Sequence, residues 1–316
     1  ASSTTTNASS EYFLARARTS CLLNKLPVGL FGWQRNIILV LVSAKISTKS
    51  LKSYKRLLPL FRETLSHGIL IAAQTLIDAE RFVSLGADED KTWVMGNIKF
   101  DLNSPLDTET RGINFRYDHF QDRPVWIAAS THQGEEEIIL NAHKEILSKV
   151  KNMLLILVPR HPERFLKVEQ ILKKDHWNYV SRTSDKIVTK SCEVFLGDTM
   201  GELLLFYATS DIAFVGGSLI PIGGHNLLEP ASLGLPVLTG IHMFEQRDMV
   251  DLFIKEDAAI FVKNELELAS KIIFYHENKN KRDAIGDNVK KIVLKNGGAL
   301  NSLMRRLDLL LTDEAN

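Results

Sequence analysis

Residues 215–240 read VGGSLIPIGGHNLLEPASLGLPVLTG, and their order decides the fold class. An apolar strand, Ile212 to Val215, runs into Gly216-Gly217-Ser218. A second glycine pair follows at Gly223-Gly224, and His225-Asn226 then leads into a helix-compatible run that holds Glu229 and Pro230. Glycine has no Cβ, so the backbone there can approach a ligand closely. A helix opening directly after such a loop turns free N–H groups, and the positive end of its dipole, toward an anion. Glu229 lies a turn or so inside, where a carboxylate can accept hydrogen bonds from sugar hydroxyls. Strand, glycine loop and helix with an acid is a way to hold an activated nucleotide sugar. Ordinary tight turns produce the same letters.

Outward from this stretch, strand and helix signals alternate, which argues for parallel sheets with crossover helices. In the first part of the chain, strands are expected at Ile37 to Ser43, Ile69 to Ala73 and Thr92 to Met95, with helices over 48–67 and 78–85. Residues 102–122 are polar and aperiodic and read as a linker. A second series follows: strands at 125–129, 153–158, near Tyr179 and at 192–196, with helices at 134–149, 163–173 and 200–208. The stretch from Ala299 to Leu311 has helical periodicity. The expected organisation is an α/β protein with a leader over 1–35, a partial first domain over 36–105 and a linker over 106–122. A nucleotide-binding domain over 123–300 and a terminal helix over 301–316 complete it.

Composition excludes several classes. The chain has 316 residues, 45% hydrophobic and 24% charged, which suits two ordinary soluble domains. A formal net charge of +1 gives no global basic field for nucleic acid. Cys21 and Cys192 form neither a disulfide framework nor a zinc site. His132, His161, His225 and His242 lack ligand spacing, so no metal is expected. The longest apolar run, Ile37 to Val42, is too short to span a bilayer, and ASSTTTNASS at the start reads as a disordered or foreign leader.

Three further loops follow strand ends, where ligands gather in open α/β sheets. Residues 129–135 (ASTHQGE) supply hydroxyls and a helix start; Glu135, Glu136 and Glu137 read as a solvated first turn. Pro159-Arg160-His161-Pro162 offers a guanidinium that can pair with phosphate or carboxylate. Residues 197–202 (GDTMGE) form another loop-to-helix junction.

AASTHQGEEE, LVPRHPERF, LGDTMGEL and FVGGSLIPIGGHNLLEPASLGLPVLTG, in this order, resemble the C-terminal half of bacterial 3-deoxy-D-manno-octulosonic acid (Kdo) transferases. LVSAKISTKS, DAERFVSLGA and GNIKFDL resemble that family's N-terminal domain, so the likeness covers roughly residues 36–311. It implies a GT-B fold, two Rossmann-like domains facing a cleft, with an inverting, metal-independent transfer of Kdo from CMP-Kdo to a lipid A precursor. It further implies no cofactor, and a peripheral place on the cytoplasmic face of the bacterial inner membrane. By matching motifs, Pro159 and Arg160 resemble one CMP contact, Met200, Gly201 and Glu202 a second, and Asn226, Leu227, Leu228 and Glu229 a third that grips the ribose. Lys99 resembles the lysine that steadies charge in the transition state, as the leaving CMP gains negative charge.

The family's glycine–glutamate motif, which carries the general base, has no counterpart here: Glu11 is the only acid before Glu63. Phe31-Gly32-Trp33-Gln34-Arg35-Asn36 is the nearest text to another family segment and keeps only Trp33 and Asn36. The resemblance is thus to a transferase without its usual N-terminal segment. The alternatives are a nucleotide-binding remnant of such an enzyme, or a GT-B enzyme that uses a UDP-sugar. Between Lys45 and Arg62 stand six basic residues and no acid. At helical spacing Lys45, Lys49, Lys52, Lys55 and Arg56 gather on one side, which suits a bisphosphorylated lipid or an anionic membrane surface.

Overall fold

The computed structural model describes residues 13–16, 39–66, 69–101, 107–184 and 186–313. Glu11, Cys21, the segment from Phe31 to Asn36 and the rest of the leader except 13–16 lie outside the described residues. The chain divides into two compact units: Ala1–Asp101 with Asn296–Asn316, and Leu102–Lys295.

The first unit carries a parallel sheet of four strands in sequence order, β1 (Phe13–Arg16), β2 (Leu39–Ala44), β3 (Leu70–Ala73) and β4 (Thr92–Val94). Strands β2 and β3 are buried along their whole length, as a parallel sheet covered on both faces requires. Leu39, Leu41 and Ile71 pack with Tyr54, Phe61, Leu65 and Phe82 from the helices Thr48–Lys55, Leu58–Ser66 and Leu76–Ser84. Val40, Val42, Leu70 and Ala72 pack instead with Met95, Ala299 and Leu303, so the helix Ala299–Asp313 belongs to this unit. Asp101 caps that helix, its carboxylate accepting the Gly298 N–H at 2.5 Å and the Leu300 N–H at 2.7 Å.

The helix expected over 48–67 breaks at Arg56-Leu57. Pro59 lies in the first turn of the second piece, where a missing N–H leaves no bond unmade. Lys49, Lys52, Lys55 and Arg56 are exposed, as are Leu57 and Leu60, while Lys45 precedes the helix and is half-buried. The five cations therefore do not share one continuous helix face.

The second unit is built on a parallel sheet of seven strands: β5 (Val125–Thr131), β6 (Leu154–Pro159), β7 (Tyr179–Ser181), β8 (Val194–Leu196), β9 (Ile212–Val215), β10 (Val237–Thr239) and β11 (Ala259–Phe261). Their order is β11-β10-β9-β5-β6-β8-β7. The chain works outward from β5 on one side, then returns to lay β9 on the other. This reversal makes β5 and β9 the switch point where the C-terminal strand ends open a crevice.

The segment expected as a linker, 106–122, is instead largely the helix Thr108–His119 of this unit. Arg116 anchors it by a bidentate pair with Asp211, both N–O distances being 2.9 Å, and by donating to the carbonyls of Thr209 and Arg123. A Cβ on Gly112 would lie 2.8 Å from the Ala208 carbonyl oxygen, so glycine permits the close helix approach. Strands β10 and β11 and the helices Arg247–Lys255, Glu265–Glu277 and Lys279–Asn296 have no counterpart in the sequence reading.

Candidate functional site

Four loops leave the C-terminal strand edge of the second unit. The one after β5 begins with Ser130 in the left-handed region (φ 57) and ends with Gly134 (φ 91), which turns the chain into the helix Glu135–Lys149. Glu135 and Glu136 are fully buried and only Glu137 is exposed, a correction to the expected solvated first turn. Their partners come from distant segments. Glu135 Oε2 accepts the N–H groups of Gly217 at 2.7 Å and His132 at 3.1 Å, and Oε1 those of Ser218 and Leu219, each at 2.9 Å. Glu136 takes Arg164 bidentately, at 3.0 and 3.2 Å, with Thr131 Oγ1 at 3.3 Å. Burial pushes the Glu136 carboxyl upward in pKa, and the Arg164 guanidinium pulls it partly back.

The glycine loop after β9 approaches other parts of the protein. A Cβ on Gly216 would stand 2.7 Å from the Ser130 carbonyl oxygen and 3.0 Å from Glu135 Oε2. One on Gly223 would reach 2.5 Å from Glu245 Cγ, and one on Gly224 would overlap Met243 Sδ. Close backbone approach is thus used to seat the loop on Glu135 and on residues 243–245. By contrast, Gly201 (φ 84) faces open space.

Three imidazoles gather beside these loops. His132 and His225 stand Nε2 to Nε2 at 2.7 Å, and His161 meets His132 edge-on at a centroid distance of 5.4 Å. Burial lowers the pKa of both members of the pair, His225 to about 4; His132, Arg160 and His161 deepen the effect on His225. Arg160 is exposed at the end of β6, its N–H bonded to the Thr131 carbonyl at 3.0 Å. Glu229 is half-buried; burial raises its pKa, while Asn226, donating at 3.3 Å, and the positive field of Arg160 oppose the rise. Arg160, His132, His161, His225 and Glu229 therefore share one electrostatic neighbourhood. Leu227 and Leu228 are fully buried, so only their backbone can meet a ligand.

Met200, Gly201 and Glu202 lie on the loop after β8, one strand beyond β6. Met200 is exposed, whereas Glu202 is held bidentately by Arg182, with Nη2–Oε1 at 2.9 Å and Nε–Oε2 at 3.1 Å, and by Thr199 Oγ1 at 2.5 Å. Burial alone would raise the Glu202 pKa, but the Arg182 and Thr199 bonds outweigh it and the net shift is downward. Lys99 belongs to the first unit, exposed on the turn Ile98–Phe100, its N–H accepted by Asn97 Oδ1 at 3.1 Å. Among the described residues no group of three or more His, Cys, Asp or Glu side chains is disposed to hold a metal, and no helix is long and apolar enough to cross a membrane. Sequence reasoning assigned no role to Glu135, Arg182 or the histidine pair. Their partners lie far along the chain, and no spacing rule signals them.

Known proteins match both units. A family model described as 3-Deoxy-D-manno-octulosonic-acid transferase (kdotransferase) matches residues 32–102. A 3-deoxy-D-manno-octulosonic acid transferase of Haemophilus influenzae is 40% identical over 277 residues, 87% of this chain. The chain spans 64% of that relative's own length. Among solved structures, the C-terminal CMP-Kdo binding domain of WaaA from Acinetobacter baumannii is 33% identical with a TM-score of 0.54, covering 58% of this chain and 98% of that domain. The UDP-GlcNAc 2-epimerase of Neisseria meningitidis, 17% identical with a TM-score of 0.54 over 93% of this chain and 76% of its own, shares the fold alone. The architecture is of the GT-B type.

Proposed function

The chain belongs to the 3-deoxy-D-manno-octulosonic acid transferase family, and from that membership we propose that it moves Kdo from CMP-Kdo to a lipid A precursor. The observation that carries this reading is the 33% identity to a CMP-Kdo binding domain across 98% of that domain. In this reading Arg160 pairs with the donor phosphate beside Pro159, where a bidentate guanidinium is the natural partner. Asn226, the backbone of Leu227 and Leu228, and Glu229 take the ribose; Glu229, half-buried and near Arg160, can accept from its hydroxyls. Met200 and Gly201 offer an exposed side chain and an open backbone edge to the base, and Glu202 acts with Arg182. Lys99 would meet charge growing on the departing CMP.

The transfer inverts the anomeric centre and uses no metal. Donor chemistry of this kind needs charge stabilisation at the phosphate, which cationic side chains can supply. The exposed cations Lys49, Lys52, Lys55 and Arg56, with exposed Leu57 and Leu60, suit an anionic lipid acceptor at the cytoplasmic face of the inner membrane.

The direct test incubates the purified chain with CMP-Kdo and tetraacyl lipid A precursor and follows the lipid's mass. A gain of Kdo units is the expected result. Competition binding separates donor classes: CMP should bind and UDP should not, and the reverse order would replace the donor.

A further inference from the structure

The loop after β9 stands where open α/β sheets often receive a ligand phosphate, and its successive N–H groups form the concave nest that anions favour. In this protein the nest is occupied from within. Three consecutive amides, Gly217, Ser218 and Leu219, donate to one carboxylate, and the His132 amide adds a fourth bond. The Glu135 side chain is fully buried, and its partners are backbone amides, not a cation. A buried carboxylate persists only when its lone pairs are satisfied.

We propose that Glu135 is a built-in anion that closes this nest to phosphate and positions the segment from His225 to Glu229; the second half rests on the donor reading given above. The wiring runs through the backbone. Gly217 gives its N–H to Glu135 and receives on its carbonyl the N–H groups of Gly223 (3.1 Å) and Gly224 (2.7 Å), which lead directly into His225 and Asn226. Ser218 extends the same hub to β10: its Oγ accepts the Gly240 N–H at 2.8 Å, and its carbonyl accepts the His242 N–H at 2.9 Å. Glycine at 216 leaves room for the carboxylate, since a Cβ there would stand 3.0 Å from Oε2. An entering phosphate would meet a like charge and strip four donors from Glu135. Anion recognition therefore falls to the groups outside the nest, Arg160 and its neighbouring imidazoles.

The test uses the whole chain, isotope-labelled so that the amides of Gly217, Ser218 and Leu219 are followed by NMR. In the wild type these signals should ignore inorganic phosphate. In Glu135→Ala they should shift saturably with formate, CMP affinity should fall by about tenfold or more, and formate should restore it. Glu135→Gln keeps the volume but turns an amide N–H toward one pair of donors, so it should lose both CMP affinity and Tm and gain nothing from formate. Nest amides that titrate with phosphate in the wild type would overturn the proposal. So would unchanged CMP affinity in both variants, or formate that fills the nest without restoring CMP binding. Should Glu135→Ala not fold, Glu135→Gln decides alone, measured well below its own Tm: CMP affinity equal to the wild type's there would overturn the proposal. A wild-type chain that binds no CMP would remove the donor reading, and the phosphate titration would still decide whether the nest is closed.

Discussion

His132 and His225 meet Nε2 to Nε2 at 2.7 Å with their rings 13° from parallel, so the facing nitrogens can share one proton and not two. Glu135 favours the charged form of His132, while His161, Arg160 and Arg164 oppose it, and burial opposes it most. The pair is therefore neutral near pH 7.

A histidine NMR titration should find His225 protonating at about 4, well below the usual imidazole value of about 6.5. The folded pKa lies below the unfolded one, so the neutral pair stabilises the protein above about pH 6.5, and this is lost as pH falls toward about 4. In His225→Asn the His132 signal should move and the acid limb of the Tm profile should flatten. An ordinary midpoint for His225 would contradict the buried pair.

Arg160→Ala should weaken CMP binding by about 1.5–3 kcal/mol, the usual worth of a charge-assisted hydrogen bond. Because Arg160 is exposed, Tm should stay nearly constant. Calorimetry with CMP and with cytidine separates causes: the loss should be confined to CMP, and an equal loss for cytidine would take the guanidinium off the phosphate.

Glu202 and Arg182 should act as one unit. In a double-mutant cycle, Glu202→Gln and Arg182→Ala should each reduce CMP affinity, and the double variant should lose much less than the sum. Additive losses would mean that Glu202 meets the nucleotide by itself.

His143 is a structural counterpart to the pair at the strand edge. It is fully buried, Trp126 Nε1 donates to its Nδ1 at 3.1 Å, and its Nε2 lies 2.9 Å from the Glu193 carbonyl, with the Trp177 ring stacked beside it. Burial pushes its pKa down to about 3. Unfolding lets it charge, so stability should fall as pH drops from about 6.5 toward about 3. Trp126→Phe strands its acceptor and should cost about 1–3 kcal/mol, read by urea unfolding.

The buried strands β2, β3, β5, β6 and β9 were legible because each holds an apolar run of at least four residues. Strands β10 and β11 went unread, and since β4, β7 and β8 are equally short at three residues and were legible, length alone does not account for it. The helix Thr108–His119 read as a linker because it is polar; what fixes it is Arg116, whose partner Asp211 stands 95 positions away. The edge loops were correctly drawn to one side of one sheet, since parallel strands leave no other arrangement. The glycines of the β9 loop read equally as a ligand loop or as tight turns. The protein atoms that crowd them, from Glu135 and residues 243–245, are near in space and remote or unmarked in sequence.

The helix Ala299–Asp313 covers one face of a sheet whose strands precede it by some two hundred positions, a separation that sets a timetable for synthesis. A ribosome releases β2 and β3 early, yet Val40, Val42, Leu70 and Ala72 wait for Ala299 and Leu303. Residues 102–295 emerge complete in the interval and can close their own core first. The unit that holds β2 and β3 therefore cannot complete its core until the helix Ala299–Asp313, made after residues 102–295, has emerged.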